Sequence, residues 1–178
     1  MKYFTPDLLA ECRSLDPEVA EAAAAKWQRR AAAYRKRLQE IHHRLPLGVR
    51  RLMRSITLHD AYLLTTNLAK ERGRPQFFLS FKLADGDGRA GVQLRYDMVK
   101  PLKVVLHEGT AAAGTILFAL YDEFDVSEDG TLTHSILMTG GVETRVRFTN
   151  LLVTLFTRVV APGRGRSNIK ELAEMAAS

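Results

Sequence analysis

The sequence predicts an α+β protein in which N-terminal helices, one of them long, amphipathic and basic, pack on an antiparallel sheet. Residues 1–55 contain two proline-marked helix starts and an alanine-rich amphipathic segment. Residues 56–161 instead alternate apolar and polar side chains between glycine-containing turns. Helices followed by a run of short strands are typical of the α+β class. We therefore expect one domain over residues 1–162 with a meander of about six to eight strands, then a flexible link and a short helix over residues 163–178.

Two helices begin with the same device, a capping side chain followed by proline and an acid. Thr5 begins a short helix that ends at about Cys12, and Asp16 begins a long helix that reaches about Arg44. A third short helix is expected over Leu47–Arg54. On the long helix one arc carries the apolar side chains that should pack on the sheet: Ala20, Ala23, Trp27, Ala31, Tyr34, Leu38, Ile41 and Leu45.

The strands are predicted from alternation of apolar and polar residues. Residues 76–83 and Val92–Met98 alternate on either side of Asp85–Gly88, which has the composition of a hairpin turn. Further strands are expected at Leu102–His107, Thr115–Val126, Thr131–Met138, Val142–Thr149 and Leu151–Val160.

The composition indicates a soluble globular protein of a reducing compartment. Apolar residues make up 46% and charged residues 26% of the chain. Cys12 is the single cysteine, which excludes an internal disulfide. No signal peptide is recognisable, and no apolar run approaches the roughly 20 residues that span a bilayer. We therefore predict a cytoplasmic protein with no membrane partner.

The signatures of several common catalytic and metal sites are absent. The chain has no G-x-S-x-G nucleophile elbow, no phosphate-binding G-x-x-x-x-G-K-[ST] and no H-E-x-x-H. Cys12 has no partner for a zinc site. Asp85–Arg89 resembles a calcium loop in composition, but Tyr96 stands where the bidentate glutamate is required. The sequence therefore predicts neither a metal nor a cofactor.

The most specific polar pair is His134 with Asp122. Both are in phase with the inward-facing residues of their predicted strands. If Ser127 lies opposite Thr131 in the hairpin, Phe124 faces His134 and Asp122 is its diagonal neighbour, within reach of the imidazole. The alternation thus places a histidine and a carboxylate side by side, directed towards the core.

Two interpretations of this pair stay open. It is either a buried, hydrogen-bonded structural unit, which we favour, or the base and orienting carboxylate of an enzyme centred on Asp122, Glu123 and His134. No nucleophile or metal ligand completes a site, so no catalytic residue is assigned. Arg145 and Arg147, on the polar face of their strand, could neutralise Glu123 and Asp125. The surrounding acidic stretch could also bind a cation, repel nucleic acid, or complement the basic helix within the fold or across a dimer: Asp122, Glu123, Asp125, Glu128 and Asp129.

Positive charge is concentrated in one stretch. Residues 26–54 contain ten Lys or Arg against one acid, whereas the whole chain has a net charge of +6. The predicted binding face consists of Arg29, Arg30, Lys36, Arg37, Arg44, Arg50, Arg51 and Arg54. Since neither a helix-turn-helix pattern nor an aromatic stacking platform accompanies it, we predict a non-catalytic protein-interaction module, with self-association into a homodimer as one form. The alternative is a nucleic-acid or anionic-surface binder that uses the same cations.

Several short motifs are spread over most of the chain: Met1–Pro6, Asp16, Trp27, Tyr34, Leu45-Pro46, Leu58–Ala61, Tyr121–Phe124, Gly130, His134–Leu137 and Arg147-Phe148. Together they resemble small uncharacterised bacterial proteins classed as domains of unknown function. The resemblance implies no activity, cofactor or site residue.

Overall fold

The computed structural model describes residues 1–84, 90–107 and 116–157, which form the predicted α+β architecture. The helices of this part are α1 (Pro6–Cys12), α2 (Pro17–Ile41) and α3 (Leu47–Ser55). The strands are β1 (Tyr62–Glu71), β2 (Arg74–Lys82), β3 (Gly91–Met98), β4 (Lys103–Leu106), β5 (Ala119–Val126), β6 (Leu132–Met138) and β7 (Val142–Phe156). The predicted turn at Asp85–Gly88 and the predicted C-terminal link and helix lie outside the described residues.

The helices begin where the capping residues predict. The side chains of Thr5 and Asp16 accept hydrogen bonds from backbone N–H groups in the first turns of α1 and α2, at 3.4 and 2.9 Å. The long helix ends at Ile41, and a 3-10 turn over His42–Arg44 completes the predicted length. No helix in the described ranges has the length and apolar character needed to cross a membrane.

The strands pair antiparallel in the order β1-β2-β3-β7-β6-β5, which is two three-stranded meanders joined where β3 meets β7. β4 pairs with the first residues of β7, in line with β3. The end strands of this order also meet, because Tyr62 bridges Phe118 and the N–H of Leu63 donates to the carbonyl of Leu117 at 2.9 Å. The sheet therefore curls around, and its concave face encloses the core.

The core consists of the side chains that alternate inward on these strands, supplemented by one face of α3. Val49 and Leu52 provide that face, and both are buried. The helix approaches the sheet so closely that a Cβ atom on Gly48 would lie 1.7 Å from the carbonyl oxygen of Leu151. Among the largest fully buried sheet residues are Leu63, Phe77, Leu79, Phe81, Leu94, Tyr96, Phe124 and Phe148.

The last two predicted strands form one strand in the structure. Val142–Thr149 and the described part of Leu151–Val160 are continuous as β7. A register shift lets Met98 pair with Phe148 while the preceding residue of β3 pairs with Asn150, so Thr149 is an extra residue. This bulge breaks the period of two, and in the sequence the break looked like the end of a strand.

The sequence pattern does not delimit the first strand of the sheet, Tyr62–Glu71. A register shift between Leu63 and Thr65 again interrupts its alternation. Its second half is largely exposed, because the β1–β2 hairpin extends beyond the core. Both effects weaken the period-two pattern on which a strand prediction depends.

Candidate functional site

Three of the eight cations in the predicted binding face make hydrogen bonds to other parts of the fold. The Nε and Nη2 atoms of Arg37 donate to Oδ1 of Asp125 at 2.9 and 2.7 Å. This hydrogen bond raises the pKa of the Arg37 guanidinium above its ordinary value. Arg30 donates to the carbonyl of Tyr3 at 3.1 Å, and Arg44 donates to the carbonyl of Ser127 at 2.7 Å. The basic helix is thus partly complemented within the fold, by the β5–β6 hairpin and the N-terminal segment.

The other five cations are exposed, and none has a hydrogen bond or ion pair within residues 1–84, 90–107 and 116–157. Arg29 and Lys36 are seven residues apart on α2 and therefore share one side of that helix. Arg50, Arg51 and Arg54 lie on the side of α3 opposite its buried residues. Leu47, whose surface is 74% exposed, lies on the same side. We call Leu47, Arg50, Arg51 and Arg54 the α3 cationic face.

His134 and Asp122 are brought together as the sequence predicts. Phe124 pairs with His134 across β5 and β6, and its ring stacks on the imidazole at 3.9 Å. Nε2 of His134 lies 3.1 Å from Oδ2 of Asp122, and Nδ1 lies 2.7 Å from the hydroxyl of Tyr96. The result is a Tyr–His–Asp chain that runs outward from the core.

The chemistry of this chain follows from what each group can donate. An ionised carboxylate only accepts, so Nε2 of His134 carries the hydrogen that Asp122 receives. Burial raises the pKa of Tyr96 well above its usual value, so its hydroxyl stays protonated and can donate to Nδ1. Both imidazole nitrogens are then occupied, and His134 is 0% exposed. A general base needs a lone pair within reach of a substrate, which this geometry does not offer.

Glu123, the third residue of the enzyme hypothesis, faces the other way. Strand alternation turns its side chain to the convex face of β5. There its carboxylate accepts hydrogen bonds from the backbone N–H groups of Lys2, Tyr3 and Phe4 at 2.8, 2.7 and 2.6 Å. Glu123 anchors the N-terminal segment to the sheet. No local pattern predicts this, because the partners are about 120 residues away in sequence.

Glu143 is a second buried carboxylate, and sequence reasoning missed it. It lies 2.6 Å from the Met1 ammonium, 2.8 Å from Arg145 and 3.3 Å from His107. Burial alone would raise the pKa of Glu143, but hydrogen bonds from the ammonium and Arg145 outweigh burial and lower it. The prediction that Arg145 neutralises Glu123 or Asp125 is therefore wrong. Arg145 binds the acid two residues before it, on the same face of β7.

No group of three or more His, Cys, Asp or Glu side chains is arranged to hold a metal ion in the described part of the chain. No protein family model matches the sequence, and no curated protein or solved structure matches it either.

Proposed function

We propose that this protein is a non-catalytic protein-interaction module that docks through the α3 cationic face, with Arg29 and Lys36 of α2 as further cations. The observation that supports this is the division of the positive charges. Three cations have hydrogen-bond partners in the fold, whereas the other five are exposed and have no partner in the described residues. Exposed guanidinium groups without a structural partner are available for recognition of a second molecule.

The chemistry of the face favours a protein partner. Leu47 is 74% exposed among Arg50, Arg51 and Arg54, and Met53 on the same helix is 37% exposed. Arginine and methionine are enriched in protein interfaces, where an apolar anchor is surrounded by polar groups. A surface that recognised phosphate alone would gain little from an exposed leucine.

The partner surface should present carboxylates beside an apolar pocket, and a second copy of this chain is one candidate. The tip of the β5–β6 hairpin is exposed and carries Glu128 and Asp129. Hydrogen bonds from Ser127 and Thr131 lower the pKa of Asp129 to about 2, so this acid remains ionised at neutral pH. A cytoplasmic setting in a bacterium fits the single Cys12 and the family resemblance, and belongs to the same proposal.

Two other functions compete with this one. The five cations that have no partner among the described residues could bind nucleic acid or another anionic surface, which the net charge of +6 favours. An enzyme centred on Asp122 and His134 has less support, because the imidazole is enclosed and both its nitrogens are hydrogen-bonded.

The test compares two variants with equal loss of charge. The first replaces Arg50, Arg51 and Arg54 by Gln; the matched control replaces three exposed cations of the strand half, Arg72, Arg74 and Lys103, by Gln. Sedimentation velocity measures self-association over a range of protein concentration. Fluorescence anisotropy measures binding to a labelled peptide that alternates Glu and Leu and to a labelled DNA duplex, each at low and high salt.

We expect the original protein to self-associate or to bind the peptide, and this binding should persist at high salt. It should be lost in the first variant and kept in the control. Binding to DNA alone, with a steep loss of affinity as salt rises, would instead support the nucleic-acid function. If both variants behave like the original protein in every assay, the α3 cationic face is not a docking surface.

A further inference from the structure

The alignment of β3 and β4 is interrupted by a short excursion of the chain. Both strands pair with the same edge of β7, but residues 100–102 leave that line. The N–H of Val99 still donates to the carbonyl of Arg147 at 3.0 Å, after which Pro101 supplies no donor. Leu102 then turns back into the core, where it is buried. The excursion leaves an opening between itself and the β1–β2 hairpin.

This opening is a cavity of about 490 Å³. Its inner wall belongs to the core, because Met98 and Leu102 are core residues and Leu68 packs against the core. Lys70 and Lys100 line the cavity and are exposed. Binding sites for small molecules have this size and composition, an apolar lining with a few polar groups that set orientation.

This cavity differs from two other cavities of the described structure in the charged residues of its lining. A cavity of about 390 Å³ contains Glu123 and Asp125 as well as arginines, and one of about 360 Å³ contains Glu71 and Asp97 as well as arginines. Among the described residues that line the 490 Å³ cavity, only Lys70 and Lys100 are charged. A ligand there meets apolar side chains and positive charge, and none of the described lining residues is a competing carboxylate.

We propose that this cavity binds an amphiphile composed of an unbranched hydrocarbon chain and a carboxylate. The chain would lie against Leu68, Val99 and Pro101, whose apolar surface is partly or largely exposed, and this removes apolar surface of both ligand and protein from water. The carboxylate would remain at the opening, within reach of Lys70 and Lys100. Neither lysine makes a hydrogen bond or ion pair with the described residues, although the charge of Lys100 contributes to the low pKa of Asp129. The site shares no residue with the α3 cationic face and does not depend on the proposed function.

The ligand series tests head group and chain separately. Isothermal titration calorimetry compares decanoate, decanol and decyltrimethylammonium, all below their aggregation concentrations, and then octanoate. We expect decanoate to bind most tightly and decyltrimethylammonium most weakly. Because each buried methylene strengthens binding by a constant increment, octanoate should bind about tenfold more weakly than decanoate. No binding of decanoate at millimolar concentration, or equal binding of all head groups, would overturn the proposal.

Variants and a spectroscopic probe locate the site. Lys70→Gln with Lys100→Gln should reduce the affinity for decanoate to that for decanol and leave decanol unchanged, whereas Lys103→Gln, outside the cavity, should change neither. In ¹³C-methyl methionine spectra, decanoate should shift the Met98 signal and leave the exposed Met53 unaffected. Unchanged decanoate affinity in the double variant, or a shift at Met53 without one at Met98, would place binding elsewhere and refute the inference.

Discussion

Gly48→Ala should destabilise the protein although it replaces glycine by the best helix former. Gly48 is the second residue of α3, and a Cβ atom there would lie 1.7 Å from the carbonyl oxygen and 2.8 Å from the carbonyl carbon of Leu151. The obstacle is backbone, so no rotamer change can relieve it. Either α3 or β7 must move by about 1.5 Å to restore an ordinary van der Waals separation.

The expected loss of stability follows from the apolar side chains that this movement would expose. Val49 and Leu52 hold α3 on the sheet, and both are at most 2% exposed. Full burial of such a side chain contributes roughly 1.5–3 kcal/mol, so partial loss at both sites together with local overpacking costs about 3 kcal/mol. The higher helix propensity of alanine offsets about 1 kcal/mol. We expect a net loss of about 2 kcal/mol, or about 4–8 °C in Tm for a chain of this length.

Urea unfolding followed by circular dichroism measures this change, with Arg50→Ala as the control. Arg50 is exposed on the opposite side of α3, so its replacement tests helix propensity without a clash. It should change the free energy of unfolding by less than about 0.5 kcal/mol. If Gly48→Ala proves as stable as the original protein or more stable, α3 does not lie as close to the Leu151 backbone of β7 as the structure shows. The orientation of the α3 cationic face would then be wrong with it.

The remaining predictions concern buried polar groups. Tyr96→Phe leaves Nδ1 of His134 in the core without its partner, so the free energy of unfolding in urea should fall by about 1–3 kcal/mol; an unchanged value would mean that this hydrogen bond contributes nothing. Glu123→Ala deprives three backbone N–H groups of their acceptor. We expect the free energy of unfolding to fall by about 3 kcal/mol and proteolysis near the N-terminus to become faster. Equal proteolysis of variant and original protein would argue against the anchor. Glu143 has a folded-state pKa below its usual 4.5. Its contribution to the free energy of unfolding is therefore fully present above pH 4.5 and disappears as the pH falls through the lower folded-state pKa. Glu143→Gln should therefore lower the urea midpoint at pH 7, and the midpoint of the variant should decline less steeply than that of the original protein below about pH 4.5. Parallel pH profiles of the two proteins would contradict this assignment.

Local patterns predicted the parts of the fold that depend on neighbouring residues. Thr5 and Asp16 are followed by proline, and they cap the helices because the donors they satisfy are two or three residues away. Alternation also placed His134 opposite Phe124 and beside Asp122, since the β5–β6 hairpin closes over a few residues. The bulges of β1 and β7 escaped prediction because an extra residue breaks the period of two without ending the strand.

The sequence alone determined that positive charge gathers on residues 26–54 and that α2 and α3 are amphipathic, because helical periodicity is a property of the chain itself. Only the tertiary structure decided which of these charges remain available. Arg37 meets Asp125 across 88 residues of sequence, and Glu123 meets the N-terminal segment across about 120. Such partners are brought together by how the strands pair and the helices pack. The cations of the α3 cationic face, like Arg29 and Lys36 of α2, are ones for which the fold supplies no partner among the described residues.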